Sequence, residues 1–173
     1  MSVLLTGASG FLGRCIYAKL QEKHKVISIG RSDLDDIQIK DLVDISGQPA
    51  LEEKVEFVVH VAGLAHVNPK NDEDSKLFNT INYGGTQNLC QWIDGWIHKP
   101  KSFIFISSVS VYGLDHGKEI SENNQLNGNT PYAKSKINAE HFLIEWGKKN
   151  GIKVLILRLP LIVGSNPPGN LGK

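Results

Sequence analysis

Residues 6–13 read Thr6-Gly7-Ala8-Ser9-Gly10-Phe11-Leu12-Gly13, and this loop decides the fold of the chain. It follows an apolar run, Val3–Leu5, typical of a buried strand, and leads into a helix with apolar residues every four positions. Gly7 allows a tight turn, Gly10 allows close approach of a pyrophosphate, and Gly13 allows the helix to pack against the strand. Because a helix N-terminus attracts phosphate, the loop predicts a dinucleotide site. An ordinary glycine-rich loop is the alternative, but it does not need this strand-to-helix context.

Composition indicates one globular domain and excludes several function classes. The 173 residues are enough for a real core, and 40% are hydrophobic. A formal net charge of +1 gives no field that would select nucleic acid or a membrane surface. We expect no membrane-spanning segment, no signal peptide and no metal site, because apolar runs are short and the histidines show no ligand spacing. Two cysteines are too few for a disulfide framework, so we expect a cytoplasmic protein.

Strand and helix patterns alternate along the chain. The predicted strands cover residues 3–5, 25–29, 37–40, 55–61, 102–106 and 153–157, and helices follow the first, fourth and fifth. This order predicts an α/β fold, a doubly wound parallel sheet of the Rossmann type in three α/β/α layers. Ligands of such sheets bind beyond the carboxyl ends of the strands. The chemically suggestive residues follow strand ends: Gly7, Arg31, Asp41, Gly63, Ser108 and Arg158.

A long helix is predicted from about residue 72 to about residue 97. Its apolar face comprises Leu77, Ile81, Leu89, Trp92 and Ile93. Gly84 and Gly85 lie inside it, and each costs about 1 kcal/mol of helix stability relative to alanine. These glycines therefore predict close packing against another element.

A second set of residues carries potential chemistry. Tyr132 and Lys136 are four apart at the start of a predicted helix, so they share one face, and Ser108 ends the preceding strand. A phenol has an unperturbed pKa of about 10, and a neighbouring ammonium together with an oxidised nicotinamide would lower it. Tyr132 could then take a proton from a substrate hydroxyl while hydride leaves, with Ser108 bonded to the same oxygen. The alternative is a surface helix with an ordinary tyrosine and solvated lysines.

Together these motifs resemble the extended short-chain dehydrogenase/reductase family, in its NAD-dependent epimerase/dehydratase branch. The resemblance covers nearly the whole chain in order. Within the branch it is closest to nucleotide-sugar 4-epimerases and related sugar dehydrogenases or 4-ketoreductases. The matching segments are Thr6–Gly13, Asp41-Leu42, His60–Gly63, Asn82–Thr86, Ser108–Gly113, Pro131–Lys136 and Leu157–Gly164.

The resemblance implies an NAD(P)-dependent enzyme that transfers hydride at a carbinol or ketone carbon of a nucleotide sugar, expected to be a UDP-sugar. The implied catalytic residues are Ser108, Tyr132 and Lys136. The implied cofactor-binding residues are Gly7, Ser9, Gly10, Phe11, Leu12, Gly13, Arg31, Asp41, Leu42, Val61, Ala62, Gly63, Asn82, Ser107, Tyr132 and Lys136. A homodimer is also expected by resemblance. A non-catalytic NAD(P)-binding sensor, or an inactive truncated domain, is the alternative.

Two positions depart from the family pattern. Dehydratases of the branch carry an Asp-Glu pair directly after the catalytic Ser or Thr, where this chain has Val109 and Ser110. Neither can act as a general acid or base, so dehydration is disfavoured. The second strand ends in Arg31 rather than in an acidic residue, which favours a 2′-phosphate and hence NADP. Two alternatives remain: Asp33 as a displaced acidic residue, or an Arg31 that only stacks on adenine or faces solvent.

The third departure is at the C-terminus. Family members continue beyond the segment that matches Gly164 into a sugar-nucleotide domain, whereas this sequence ends at Lys173. We therefore expect residues 1–164 to form the NAD(P)-binding domain with the catalytic residues. Residues 165–173 would begin the crossing to a substrate domain that is missing here. His66 is expected to be an ordinary polar loop residue. We expect this chain alone to bind cofactor but to show little turnover.

Overall fold

Six parallel strands form the sheet in a computed structural model that describes residues 1–65, 67 and 69–164. In chain order they are β1 (Ser2–Thr6), β2 (Lys25–Gly30), β3 (Ile37–Gln38), β4 (Phe57–His60), β5 (Ser102–Ser108) and β6 (Lys153–Leu159). Their order across the sheet is β3-β2-β1-β4-β5-β6. The chain thus winds outward in both directions from β1, and the predicted Rossmann-type sheet is confirmed.

Four α-helices connect the strands: α1 (Phe11–Leu20), α2 (Asp72–Phe78), α3 (Gly85–Asp94) and α4 (Pro131–Asn150). Helix α4 begins as predicted, with a proline in its first turn and the Thr130 hydroxyl oxygen accepting a hydrogen bond from the Ala133 N–H. It ends at Gly151, whose φ of 67° is the left-handed conformation that glycine adopts without strain.

The helical stretch predicted over residues 72–97 is present from residue 72 to residue 94, but it is not one regular α-helix. A π-helical turn over residues 79–84 separates α2 from α3, and α3 ends at Asp94. A π turn inserts one extra residue, so side chains four apart on either side of it no longer share a face. Leu77 is consequently 47% exposed, and Phe78 is buried instead. The close packing predicted at the glycines is present, since a Cβ on Gly85 would lie 3.2 Å from the Leu42 Cβ.

The two faces of the sheet are covered to different extents. Helices α3 and α4 pack on the face that carries Leu4, Val58, Phe103 and Phe105, and they supply Leu89, Ile93, Leu143 and Trp146 to the core. Helix α1 lies against β1 and β2. On the face opposite α4, Leu155 and Leu157 of the edge strand are 36% and 42% exposed. The described helices therefore cover β5 and β6 on only one face of the sheet.

In the part of the chain that the structure describes, every helix is too short or too polar to cross a lipid bilayer.

Candidate active site

A cavity of about 800 Å³ lies beyond the carboxyl ends of the strands. It runs from the end of β2, past the glycine loop and the loop after β4, to the end of β5 and the start of α4. Most residues that the sequence predicts to form the site line it: Gly7, Ser9, Gly10, Phe11, Leu12, Gly13, Arg31, Asp41, Leu42, Val61, Ala62, Gly63, Ser107, Ser108, Tyr132 and Lys136. Tertiary structure thus brings the predicted catalytic and cofactor residues to one cavity.

The glycine loop is built from close backbone contacts. Gly7 has a φ of +73°, and a Cβ there would lie 2.7 Å from the Ala62 backbone nitrogen. A Cβ on Gly13 would lie 1.9 Å from the Gly7 carbonyl oxygen, so α1 could not pack this closely with any other residue there. Each of these two glycines is therefore required by a neighbouring backbone group, as the sequence predicted.

The start of α1 is suited to an anion. Gly10 has no side chain that could cap the helix, and the first turn carries no acidic residue among the residues described. Helices α2 and α4, by contrast, are capped by the side chains of Asn71 and Thr130. The first N–H groups of α1 face the cavity with no side-chain cap and the positive end of the helix dipole behind them. These residues fit the pyrophosphate of a dinucleotide.

The loop after β4 is fixed to β1 by a buried threonine. The Thr6 hydroxyl oxygen accepts hydrogen bonds from the N–H groups of Val61 (3.2 Å) and Ala62 (3.1 Å). Its own proton therefore goes to the remaining neighbour, Nδ1 of His60, at 2.7 Å. Thr6 is fully buried and His60 is 1% exposed, so this arrangement is shielded from water.

The position of the His60 proton follows from these contacts. Because Nδ1 accepts from Thr6, the proton lies on Nε2, which donates to the Thr86 hydroxyl oxygen at 3.0 Å. Thr86 in turn donates to the Asn82 carbonyl oxygen at 2.5 Å. Burial, and secondarily the charge of Lys136, lower the pKa of His60 from 6.5 to about 3. His60 is thus a neutral structural link between β1, β4 and α3.

The Asn82 side chain also fixes the loop after β4. Its Oδ1 accepts from the Leu64 N–H at 2.6 Å, while its Nδ2 donates to the Leu64 carbonyl and to the Ser135 hydroxyl. Among the described residues predicted to contact cofactor, Asn82 alone does not line the cavity. It positions the loop that includes Gly63, where a Cβ would lie 3.0 Å from Asn82 Oδ1.

Lys136 is buried at the inner end of the cavity, with 5% of its surface exposed. Its Nζ donates to the Ile106 carbonyl oxygen at 2.9 Å and lies 4.7 Å from the centre of the Phe105 ring. The ring of Tyr132 is 5.9 Å away. Burial lowers the pKa of Lys136 to about 8, although the charge of Glu140 opposes this shift.

Tyr132 differs from the expectation in one respect. Burial raises its pKa above the usual value of 10.0, and a side-chain interaction with Ser108 opposes the rise only in part. The protein's own groups thus do not produce the lowered pKa that the sequence predicted, because Tyr132 is largely buried and also packs edge-on against Phe78. The Ser108 hydroxyl oxygen accepts from the Ser110 N–H at 3.2 Å, so its proton is available for the interaction with Tyr132.

A buried ion pair behind the site was missed by the sequence analysis. Glu140 is completely buried and pairs with Arg158, with 2.7 Å between Oε2 and Nη2. Glu140 also accepts from the Ser107 hydroxyl at 2.5 Å, and its bonds to Arg158 raise the pKa of that guanidinium. The available clue was the spacing, since Glu140 follows Lys136 by four residues and so shares its helix face.

The end of β2 holds both a cation and acids. Arg31 is exposed and lines the cavity. Asp33 is absent from the cavity wall, whereas Asp35 accepts from the Ser32 N–H at 3.0 Å. A Cβ on Gly30 would lie 2.5 Å from Asp35 Oδ2, so the acid nearest this strand end is Asp35 rather than Asp33.

Several residues that line the cavity were not among the predicted site residues, including Leu64, Phe78, Ile81, Ile106, Leu114 and residues 159–162. They are apolar, and only the fold shows which core residues face a ligand. Within the described ranges, no three His, Cys, Asp or Glu side chains are grouped to hold a metal ion. His66 and residues 165–173, about which the sequence made predictions, lie outside the described residues.

Comparison with known proteins agrees with this architecture. The chain is 32% identical over 180 residues to the UDP-glucose 4-epimerase of Vibrio cholerae, covering 98% of this chain and 54% of that protein. The structure of UDP-glucuronic acid 4-epimerase from Bacillus cereus in complex with NAD superposes with a TM-score of 0.80 at 26% identity, covering 95% of this chain and 57% of that one. RMD from Pseudomonas aeruginosa complexed with NADPH gives 0.79 at 30% identity, covering 98% and 56%.

The chain therefore spans about half the length of these relatives. The sequence model of the NAD dependent epimerase/dehydratase family matches residues 3–173, which is nearly the whole chain. The uncapped glycine loop, the strand order and the Tyr132–Lys136 helix all occur within this matched region. The chain belongs to the NAD dependent epimerase/dehydratase family.

Proposed function

We propose that residues 1–164 form the NAD(P)-binding and proton-transfer domain of a nucleotide-sugar epimerase or oxidoreductase. One observation carries this proposal: a single cavity brings together the uncapped start of α1 and the Ser108, Tyr132 and Lys136 side chains. The relatives named above as UDP-glucose and UDP-glucuronic acid 4-epimerases support a UDP-sugar as the substrate.

The dinucleotide would lie along the cavity. The N–H groups at the start of α1 would bind its pyrophosphate, and Asp41 and Leu42 would flank its adenine. Ala62 and Gly63, held by Thr6 and Asn82, would support its middle. When bound, the nicotinamide supplies a hydride acceptor and donor at the inner end of the cavity.

Tyr132 would exchange a proton with the sugar oxygen while Ser108 donates a hydrogen bond to the same oxygen. Since burial raises the pKa of Tyr132 in the protein alone, its ionisation depends on positive charge beside it. Lys136 supplies part of that charge at neutral pH. Val109 and Ser110 occupy the positions where a dehydratase would need acids, so dehydration is disfavoured.

The cofactor preference rests on Arg31. Its guanidinium lies at the end of β2, where the ribose 2′ position of a dinucleotide would be, and can form a bidentate contact with a phosphate. Asp35 is fixed by its contact with the Ser32 N–H and is close to Gly30. We propose that NADP(H) binds more tightly than NAD(H).

The test is a titration of the chain with NADH and NADPH, followed by cofactor fluorescence. Ser9→Glu places a carboxylate beside the proposed pyrophosphate site, while Ser9→Gln adds the same volume without charge. We expect the glutamate variant to weaken binding by about tenfold or more and the glutamine variant to weaken it much less. Equal effects of the two variants would contradict the proposed pyrophosphate position.

Hydride transfer is tested with UDP-sugars. Cofactor binding with no hydride exchange on any nucleotide sugar, in this chain and in longer forms of it, would favour the sensor alternative. We propose a homodimer as well, and sedimentation velocity would test it. Trp92 and Trp96 do not carry that proposal, because they are buried in the core and pack edge-to-face against each other.

A further inference from the structure

Glu140 is a completely buried carboxylate on α4, one helical turn after Lys136. Four donor contacts use both of its oxygens. Oε1 accepts from the Ser107 hydroxyl (2.5 Å) and from Arg158 Nε (3.2 Å), and Oε2 accepts from Arg158 Nε (3.1 Å) and Nη2 (2.7 Å). A carboxylate with this set of donors is held in one orientation.

The remaining terminal nitrogen of Arg158 also has hydrogen-bond partners. Arg158 Nη1 donates to the Tyr112 hydroxyl and to the Glu122 carbonyl, at 3.0 Å each. Arg158 therefore anchors the segment after β5 and the loop before α4 to the end of β6. Ser107, whose hydroxyl is fixed by Glu140, directly precedes Ser108.

Charged and titratable groups lie near Lys136 on its own helix and on β4, and Arg158 of β6 pairs with Glu140. Tyr132 and Glu140 lie on its own helix, His60 lies on β4, and Arg158 lies on β6. His60 is neutral and Arg158 is a cation, so Glu140 is the only anion in this group among the described residues. Lys136 lies over β4 and β5, whereas Arg158 reaches Glu140 from the edge strand.

From this geometry we propose that Glu140 is a positioning residue for the site. Its negative charge keeps the buried Lys136 ammonium protonated, and its bond to Ser107 fixes the end of β5 that carries Ser108. The inference rests on the proposed function, in which Lys136 supplies positive charge beside Tyr132. Without the carboxylate, no anion among the described residues of this group would offset the burial of Lys136, and the neutral amine would be favoured.

The experiment measures the titration of Lys136 directly. Lysine is labelled with ¹³C at Cε, the Lys136 resonance is assigned by its loss in Lys136→Arg, and its shift is followed with pH. In Glu140→Gln we expect the pKa of Lys136 to fall by about one unit or more. Glu145→Gln removes an exposed carboxylate from the same helix and should leave the Lys136 titration unchanged. A folded Glu140→Gln protein with an unchanged Lys136 titration would overturn the proposal.

Two further variants keep the test decisive if Glu140→Gln does not fold. The double variant Glu140→Gln, Arg158→Gln removes both charges of the pair, and the pKa of Lys136 should still fall because Glu140 is one helical turn from Lys136, whereas Arg158 contacts Glu140 from the edge strand. Glu140→Asp keeps the charge and should keep the Lys136 titration close to that of the unaltered chain. An unchanged pKa in the double variant, or a fall in the aspartate variant as large as in the double variant, refutes the inference. A chain that fails to bind NADH or NADPH refutes the proposed function instead, whatever the Lys136 titration shows.

Discussion

The buried histidine His60 makes the stability of this domain sensitive to mild acid. In the folded state its pKa is about 3, against an ordinary value of 6.5 that applies to the unfolded chain. Above pH 6.5 the His60 ring is neutral in both the folded and the unfolded chain, so its full contribution to the free energy of unfolding is present. As the pH falls below 6.5, the unfolded chain takes up a proton that the folded chain excludes, so stability decreases until the pH reaches about 3.

The magnitude follows from linkage. One pKa unit corresponds to about 1.4 kcal/mol, so lowering the pH from 7.5 to 5.0 should cost about 2 kcal/mol through His60 alone. This value depends on the unfolded pKa and changes little as long as the folded pKa lies well below 5. The loss is large because a domain is stable by only about 5–15 kcal/mol.

The assay is urea unfolding followed by tryptophan fluorescence at pH 7.5 and at pH 5.0. His60→Gln keeps an N–H donor for Thr86 but cannot titrate, so it should be less stable at pH 7.5 and lose about 2 kcal/mol less than the unaltered chain on acidification. His116→Gln changes an exposed histidine and should behave like the unaltered chain. If His60→Gln keeps the full pH dependence, the neutral hydrogen-bonded His60 is not its cause.

Three further predictions concern the cavity. In a full-length version that turns over a nucleotide sugar, Tyr132→Phe should abolish hydride transfer and leave NADH affinity nearly unchanged, and full activity in this variant would place the acid/base group elsewhere. Arg31→Ser should weaken NADPH binding by about tenfold or more with little effect on NADH, as measured by fluorescence titration; an equal loss for both would show that Arg31 does not select the 2′-phosphate. Gly13→Ala should lower the free energy of unfolding by about 3 kcal/mol because its Cβ would meet the Gly7 carbonyl, and a stable variant in urea would contradict the close packing of α1 on β1.

Local pattern was enough to predict the architecture. Two features predict a parallel sheet: the Thr6–Gly13 loop between a strand and a helix, and the alternation of strands with helices. Both can be recognised in the sequence because they involve residues that are close together in the chain. The Tyr132 and Lys136 pair was equally visible, since a spacing of four residues gives one helix face in any fold. That these residues meet at one cavity followed from the rule for strand ends, and the structure places them there.

Features that depend on burial could not be predicted from local sequence patterns. The π turn over residues 79–84 precedes Gly85, which packs against Leu42, a residue more than forty positions earlier in the chain. Burial raises the pKa of Tyr132 in the protein alone, and its ring packs edge-on against Phe78 from another element.

The Glu140–Arg158 ion pair likewise depends on the fold and not on local sequence. Each residue has an ordinary place in its own element, and only the position of α4 over the edge strand joins them behind Lys136. The glycine loop and the Tyr132–Lys136 spacing therefore indicate which chemistry the chain can support. The packing of α4 against β5 and β6 decides the charge and orientation of the groups that would carry it out, because burial and long-range ion pairs exist only in the folded protein.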